Sequence, residues 1–436
     1  MTTNVIDRSK DSKNALKPIV VAVISNLIEY YDYAIYGFYA AVLARSFFPA
    51  DDPIVGLVQS WGVFFIGSLA KPLGAIVFGR IGDALGRRQS LRWNLGGVGI
   101  ATILIALLPT YQSIGVWAPI SLIFLRFFQG FFYGGEVSGI RIYVLEHVGD
   151  RRPCFANSLS SLSSSLGVAM AGWMAASSLT LMGLPSWRLA FMIGGISALA
   201  LCLMRAVMPE TASFTRAINA KKQVENRVKK ATFRSKTSTF ESLSGHFRVF
   251  LAIILLSACV SGSYYFVILH GPTLWSKLSH MISYQEAKNL TTNNLWFYTL
   301  FLPMAGWIAD QFGALKTFVF ALVGALAVTL ILLSMPLRTA LISYHGLTLV
   351  LFFMAFLNVS TYVMIMNRLP VLIRYRLIAL AHALGSSFLA SSVPVVATKL
   401  WQIEPSKTYQ LIYLLGLFAT GIIAVLLIKP LKKTAL

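Results

Sequence analysis

The sequence predicts an all-α membrane protein, with twelve transmembrane helices in two pseudo-symmetric six-helix bundles. Three observations lead there. Of 436 residues, 56% are hydrophobic and 12% charged, and the mean hydropathy is +0.70, whereas a soluble domain is about a quarter charged. A loop pattern between apolar runs occurs twice, as Gly79-Arg80-Ile81-Gly82-Asp83-Ala84-Leu85-Gly86-Arg87-Arg88 and as Gly306-Trp307-Ile308-Ala309-Asp310-Gln311-Phe312-Gly313. Its positions keep one offset: 306 − 79, 310 − 83 and 313 − 86 each give 227. A repeat of half the chain is the mark of two similar halves. Finally, the longest hydrophilic stretch, 209–246, lies mid-chain.

The loop pattern has a physical reading. Glycines allow sharp reversals between helices, arginines favour the anionic cytoplasmic surface, and Asp83 supplies a partner for those cations or for a helix N-terminus. One such loop would say little, since Gly and Asp are common in turns. Two in register, each between apolar runs, say much more.

Net charge is +21. In a soluble chain that would suggest nucleic acid, but here the cations gather in short loops and tails, as the positive-inside rule requires, so no nucleic-acid partner is expected. Cys154, Cys202 and Cys259 show no metal or redox spacing and are read as small packing residues. No metal site and no cofactor are expected. Nothing resembles a nucleophile elbow, a metal cluster or a phosphate loop, so the chain is not read as an enzyme.

In order along the chain, 1–17 is a polar tail with Arg8, Lys10, Lys13 and Lys17. The apolar run that follows is too long for a signal peptide and lacks a small-residue cleavage site. Residues 18–208 form the first six-helix bundle, 209–246 a basic cytoplasmic linker, 247–429 the second bundle and 430–436 a tail. Helix one is expected from Pro18 to about Phe48, followed by an outer turn at Pro49, Asp51, Asp52 and Pro53. Helices two to six follow at about 54–78, 91–109, 115–146, 154–182 and 187–208. Helices seven to twelve follow at about 247–276, 286–309, 316–336, 342–369, 374–402 and 407–429. The linker carries Arg216, Lys221, Lys222, Arg227, Lys229, Lys230, Arg234 and Lys236 and is read as partly an interfacial amphipathic helix, with lipid sensing as the alternative. With the N-terminus inside, Arg87, Arg88, Arg151, Arg152, Lys316, Arg368, Arg374, Arg376 and the tail cations Lys429, Lys432 and Lys433 all fall inside as well.

Polar residues within membrane helices carry the functional information. Glu29, Asp32, Tyr33 and Tyr36 share one face of helix one at i, i+3, i+4, i+7 spacing. Two acids in the hydrocarbon zone point to proton or substrate handling, with a structural ion pair as the alternative. Helix four brings Arg126, Gln129, Tyr133, Glu136 and Arg141. At 1.5 Å of rise per residue, Glu29 and Arg126 both lie roughly 18 Å deep, so they can meet if the helices are neighbours. Lys71, Glu136 and Arg141 lie in the cytoplasmic half, where they serve either an inner gate or transport. The gate is assigned to Lys71, Gly79, Asp83, Gly86, Arg87, Arg88, Glu146 and Asp310. The second half offers Tyr264, Asn358, Tyr362 and His382 to the site, although a lone histidine is as readily a structural residue. The serine-rich start of helix five, Ser158 to Ser165, is read as close packing.

The two loops resemble the motif between helices two and three of the major facilitator superfamily. Within it, Asn26-Leu27-Ile28-Glu29-Tyr30-Tyr31-Asp32-Tyr33-Ala34-Ile35-Tyr36-Gly37 and Phe47-Phe48-Pro49 resemble the first helix of the metabolite:proton symporter family. Lys71-Pro72-Leu73-Gly74 resembles that family's Arg-Pro-Leu-Gly, and Arg126-Phe127-Phe128-Gln129-Gly130-Phe131-Phe132-Tyr133-Gly134-Gly135-Glu136 its helix-four signature. Trp187-Arg188 and Pro209-Glu210-Thr211-Ala212-Ser213-Phe214 are similar to its helix-six borders. Three departures stand out: Arg141 where the family has an apolar or small residue, Asn367 and Arg368 where it has an acid before Pro370, and Ala314-Leu315-Lys316 in place of paired basic residues.

The resemblance implies the major facilitator fold and carriage of organic acids such as 2-oxoglutarate, citrate and shikimate, or of zwitterions such as proline and betaine. The expected function is a proton-coupled symporter importing a small carboxylate-bearing metabolite by alternating access, with the proton as coupling ion. Uptake of a zwitterionic osmolyte or amino acid is the first alternative; a drug or metabolite exporter and a non-transporting sensor are others. Arg126 and Arg141 argue against a cationic substrate. The expected partners are a small organic anion and the bilayer. The chain is expected to be a monomer in a bacterial inner membrane, with both termini cytoplasmic.

Overall fold

The computed structural model describes residues 8–48, 53–134, 136–148, 151–176, 185–205, 215, 218–219, 239–271, 283–335, 340–403 and 406–428. All regular structure among them is helical. Span one is the helix Arg8–Phe38, which breaks at Tyr39 and resumes as Ala40–Phe47. It opens ten residues before the expected Pro18, since residues 8–17 hold no glycine or proline to stop it. Span two is Pro53–Leu69 continued by Lys71–Ala84, and span three is Arg87–Leu107. Span four is Trp117–Tyr133 continued by Glu136–Val148, span five Pro153–Ala176 and span six Ser186–Arg205.

In the second half, span seven is the helix Thr239–Tyr264, non-helical at His246, followed by a π-helical turn at Tyr265–His270. Spans eight, nine and ten are Tyr284–Phe312, Ala314–Ser334 and Ala340–Met366. Span eleven is Val371–Leu384, a second π-helical turn at Gly385–Ala390, then Val393–Ile403; span twelve is Lys407–Leu427. The expected outer turn at Pro49 to Asp52, the helix-six border from Pro209 to Phe214, the linker cations from Arg216 to Lys236 and the tail from Lys429 lie outside the described residues.

Eight described helices, in spans two, three, six, seven, nine, ten, eleven and twelve, are long and apolar enough by composition to cross a membrane. The other four spans, one, four, five and eight, are the ones loaded with polar residues: Glu29 and Asp32, Arg126 and Arg141, the run of serines from Ser158, and Thr291 with Asn294. Polar groups are costly against lipid, and these four spans turn many of theirs inward: all seven of those named residues are buried.

The repeated motif is almost entirely helix, which corrects the expectation of a loop. Lys71–Ala84 runs through Asp83, and only Leu85 and Gly86 separate it from span three. Tyr284–Phe312 likewise runs through Asp310, and Gly313 alone separates it from span nine. The reversal is compressed into one glycine each time: Gly86 has φ 107° and Gly313 φ 90°, a region closed to side chains with a Cβ. The first glycine of each motif has a different task. A Cβ on Gly79 would lie 2.8 Å from Arg376 Cα in span eleven, and one on Gly306 2.7 Å from Ser158 Cβ in span five. The halves therefore meet along two related seams, span two against span eleven and span eight against span five.

Candidate functional site

At the face of the molecule that carries the motifs, polar groups clamp the halves together. Asp83 accepts from the Arg376 backbone amide at 3.2 Å and faces the Arg87 guanidinium at 3.5 Å and Arg376 Nε at 3.7 Å. Buried Arg87 donates across the seam to Val371 O at 2.7 Å. Glu146 Oε1 lies 3.5 Å from both Arg87 and Arg374, so it joins one cation from each half. At the related seam Asp310 accepts from the backbone amides of Cys154 and Phe155, at 2.8 and 2.9 Å. It caps the N-terminus of span five, where free amides and the helix dipole favour a carboxylate. The lack of paired basic residues after Gly313 thus leaves Asp310 on backbone amides where the first motif builds a network with arginines. Arg88 is exposed on this face.

Deeper in, a second polar layer spans the seam. Arg141 Nη1 donates to Asn157 Oδ1 at 3.2 Å, Ser161 Oγ at 3.0 Å and Asn358 Oδ1 at 3.2 Å, with the guanidinium 4.9 Å from the Tyr362 ring centroid. Asn157 and Ser161 belong to span five and Asn358 to span ten, so Arg141 ties both halves with neutral partners. Ser138 and Tyr362 add a hydroxyl pair at 3.2 Å.

Above this layer lies a cavity of about 290 Å³ between the halves. Of the expected site residues, Glu29, Tyr33, Tyr133, Arg141, Tyr264, Asn358, Tyr362 and His382 line it. Lys71, assigned to the gate from its position in span two, also lines it: its Nζ lies 3.2 Å from the Tyr33 hydroxyl and 4.2 Å from that ring's centroid. Lys71 opens the second segment of span two, directly after Ala70. Tyr33 meets Tyr265 of the other half at 3.4 Å. Neither Lys71 nor Arg141 has a carboxylate within ion-pair distance among the described residues.

Asp32, Tyr36, Arg126 and Gln129 do not line the cavity; they lie within the first bundle. Asp32 is fully buried and accepts from Gln129 Nε2 at 2.8 Å and from the Tyr133 hydroxyl. Gln129 Nε2 also donates to Thr102 at 2.7 Å, and its Oε1 accepts from Arg126 at 2.5 Å. The Arg126 guanidinium stacks 4.1 Å from the Tyr36 ring centroid, and Tyr36 donates to Ser60 O at 3.1 Å. The expected direct pairing of Arg126 with Glu29 or Asp32 is replaced by a relay through Gln129. Comparable depth from helix rise brings Arg126 near Asp32 only through Gln129, and the guanidinium stacks on Tyr36 instead of reaching the cavity. The Glu136 side chain lies outside the described residues.

Several lining residues escaped the sequence reading. Ser161, Ser164 and Ser165 face the cavity, while Ser160 O, Ser163 and Ser164 accept from Asn26 at 2.6 to 2.8 Å. The serine run is thus both packing surface and wall, and its helical spacing was the available signal. Tyr30, Tyr265 and Tyr298 complete a tyrosine-rich lining.

Comparison with known proteins agrees with this architecture. Residues 22–282 match the family model of the Major Facilitator Superfamily. The chain is 31% identical over 435 residues to the glycine betaine/proline/ectoine/pipecolic acid transporter OusA of Dickeya dadantii, covering 96% of this chain and 84% of that one. It is 28% identical over 401 residues to the citrate-proton symporter of Klebsiella pneumoniae, covering 88% and 84%. A solved structure of the proton:xylose symporter XylE superposes with a TM-score of 0.76 at 15% identity, covering 95% of each chain. A central cavity between two clamped six-helix bundles and these matches identify the chain as a multi-pass membrane transporter rather than an enzyme, belonging to the Major Facilitator Superfamily and, within it, to the metabolite:proton symporter family.

Proposed function

We propose that the protein imports a small carboxylate-bearing metabolite together with protons, by alternating access. The observation that carries this reading is the cavity's charge. Lys71 and Arg141 face it held only by neutral groups, a tyrosine hydroxyl for one and two amides and a serine for the other. Among the described residues two cations and one acid, Glu29, line the cavity, and cations that no carboxylate approaches within ion-pair distance favour an anionic ligand and oppose a cationic one. That argues against export of lipophilic cations. A zwitterion remains compatible, with its carboxylate at the cations and its ammonium against the tyrosine faces of spans seven and eight.

In this reading the motif face is cytoplasmic, with both termini on that side of a bacterial plasma membrane, as the loop cations favour. The bundles are residues 18–208 and 247–429, joined by the basic linker 209–246 and followed by the tail 430–436. Clamping at the motif face then corresponds to a carrier loaded from outside. Substrate bound at Arg141 competes with Asn358 for its guanidinium and loosens the polar layer that ties the halves. Asp32 and Glu29 are the candidates for the coupling proton, and Tyr133 joins Asp32 to the cavity. One chain completes the cavity, so a monomer suffices.

The test is uptake of labelled carboxylates into vesicles containing purified protein, under an imposed inward proton gradient. Accumulation that collapses with the gradient supports the reading. Uptake that ignores the gradient, or a protein that moves only cations, refutes it.

A further inference from the structure

His382 faces the cavity from span eleven, and its ring orientation is fixed by a contact on its far side. Nδ1 lies 2.9 Å from Ser257 Oγ. That hydroxyl has one hydrogen, and it is directed to Ile253 O, 2.8 Å away and four residues earlier in span seven, the usual back-bond of a helical serine. With the hydroxyl hydrogen assigned to that back-bond, Ser257 meets the imidazole with a lone pair, which assigns the ring's proton to Nδ1. In a neutral imidazole the other nitrogen is then a bare acceptor. Nε2 has no hydrogen-bond partner among the described residues, and the ring lies 5.9 Å from that of Tyr362, which in turn packs on Arg141. Lys71 and Arg141 supply donors only. Glu29 and His382 are thus the carboxylate and the imidazole of the lining, set among tyrosine, serine, threonine and asparagine oxygens, and His382 offers a neutral nitrogen acceptor.

We infer that His382 Nε2 accepts a hydrogen bond from the substrate, so that the protein selects carboxylates bearing an N–H or O–H donor over analogues in which that donor is methylated or missing. This deepens the carboxylate reading and rests on it. The expected ligand class is an amino, imino or hydroxy acid. A fully methylated betaine or a plain fatty acid of the same size satisfies the cations but leaves the imidazole nitrogen unmatched. A site built to hydrogen-bond a polar group rejects the analogue lacking it far more strongly than an apolar pocket rejects an extra methyl group.

The experiment is binding and uptake with the full chain in vesicles, using two matched pairs: proline against N,N-dimethylproline, and lactate against propionate. The first pair tests an N–H donor, the second an O–H donor. In at least one pair the donor-bearing member should bind about tenfold or more tightly than its partner, the size expected for one hydrogen bond to a buried acceptor. His382→Phe should bring that ratio near one, His382→Gln, whose amide oxygen can accept, should keep part of it, and Ser257→Ala, which frees the tautomer, should lower it. If His382→Phe does not reach the membrane, the wild-type ratio and Ser257→Ala decide. Carboxylates that bind without discrimination in either pair, or a ratio unchanged in His382→Phe and Ser257→Ala, overturn this inference and leave the carboxylate reading standing. Failure of all four compounds to bind overturns both.

Discussion

Two cations in one cavity, each held by neutral oxygens, set the chemistry of the site. Hydrogen bonds to a charged partner contribute about 1.5–3 kcal/mol, so Lys71→Ala and Arg141→Ala should each weaken carboxylate binding about 10- to 150-fold in a displacement assay. Gln129→Leu should act differently, because Gln129 touches the relay and not the cavity: affinity should change little, while the pH dependence of uptake shifts as Asp32 loses a donor. Asp32→Asn should spare substrate exchange yet prevent accumulation against a gradient; unaltered accumulation would assign the proton to Glu29. Much of this residue set was legible from intramembrane polarity alone, since burial of charge in lipid has few bland explanations. What one dimension could not convey was azimuth. Rise along a helix gives depth, but whether Arg126 or Lys71 faces the cavity depends on the rotation of each helix.

The repeated motif works as a pair of docking surfaces between helices. Gly79 and Gly306 let spans two and eight lie against the backbone or Cβ of spans eleven and five, and Asp83 and Asp310 then accept backbone amides of those partners. Replacing either glycine by leucine should keep the motif face from closing and shift the population toward the opposite conformer, read as a longer distance between spin labels on spans two and eleven. Loss of a helix cap costs about 0.5–2 kcal/mol, so Asp310→Ala should shift that equilibrium by about 2- to 30-fold without altering cavity contacts; a shift confined to substrate affinity would contradict the assignment. The spacing of 227 residues exposed the repeat in the sequence but not the seams it forms, nor that the expected loops shrink to Leu85-Gly86 and Gly313. The π-helical turns at Tyr265–His270 and Gly385–Ala390 left no such sign in the residue pattern.

At the scale of the whole molecule, the polar contacts described between the halves gather at the motif face and at mid-depth, which suits a carrier that rocks about its centre. Reporters fused to the C-terminus and within 215–235 should both read cytoplasmic, and an external reading of either would remove the orientation on which import depends. The central claim is that anion binding at the Lys71 and Arg141 cavity is coupled to proton entry. The most direct measurement is proton uptake into vesicles, followed with an internal pH dye, when a transported carboxylate is added outside in the absence of any imposed gradient. The account predicts internal acidification that requires the carboxylate and disappears in Arg141→Ala. Carboxylate entry with no change in internal pH would contradict it.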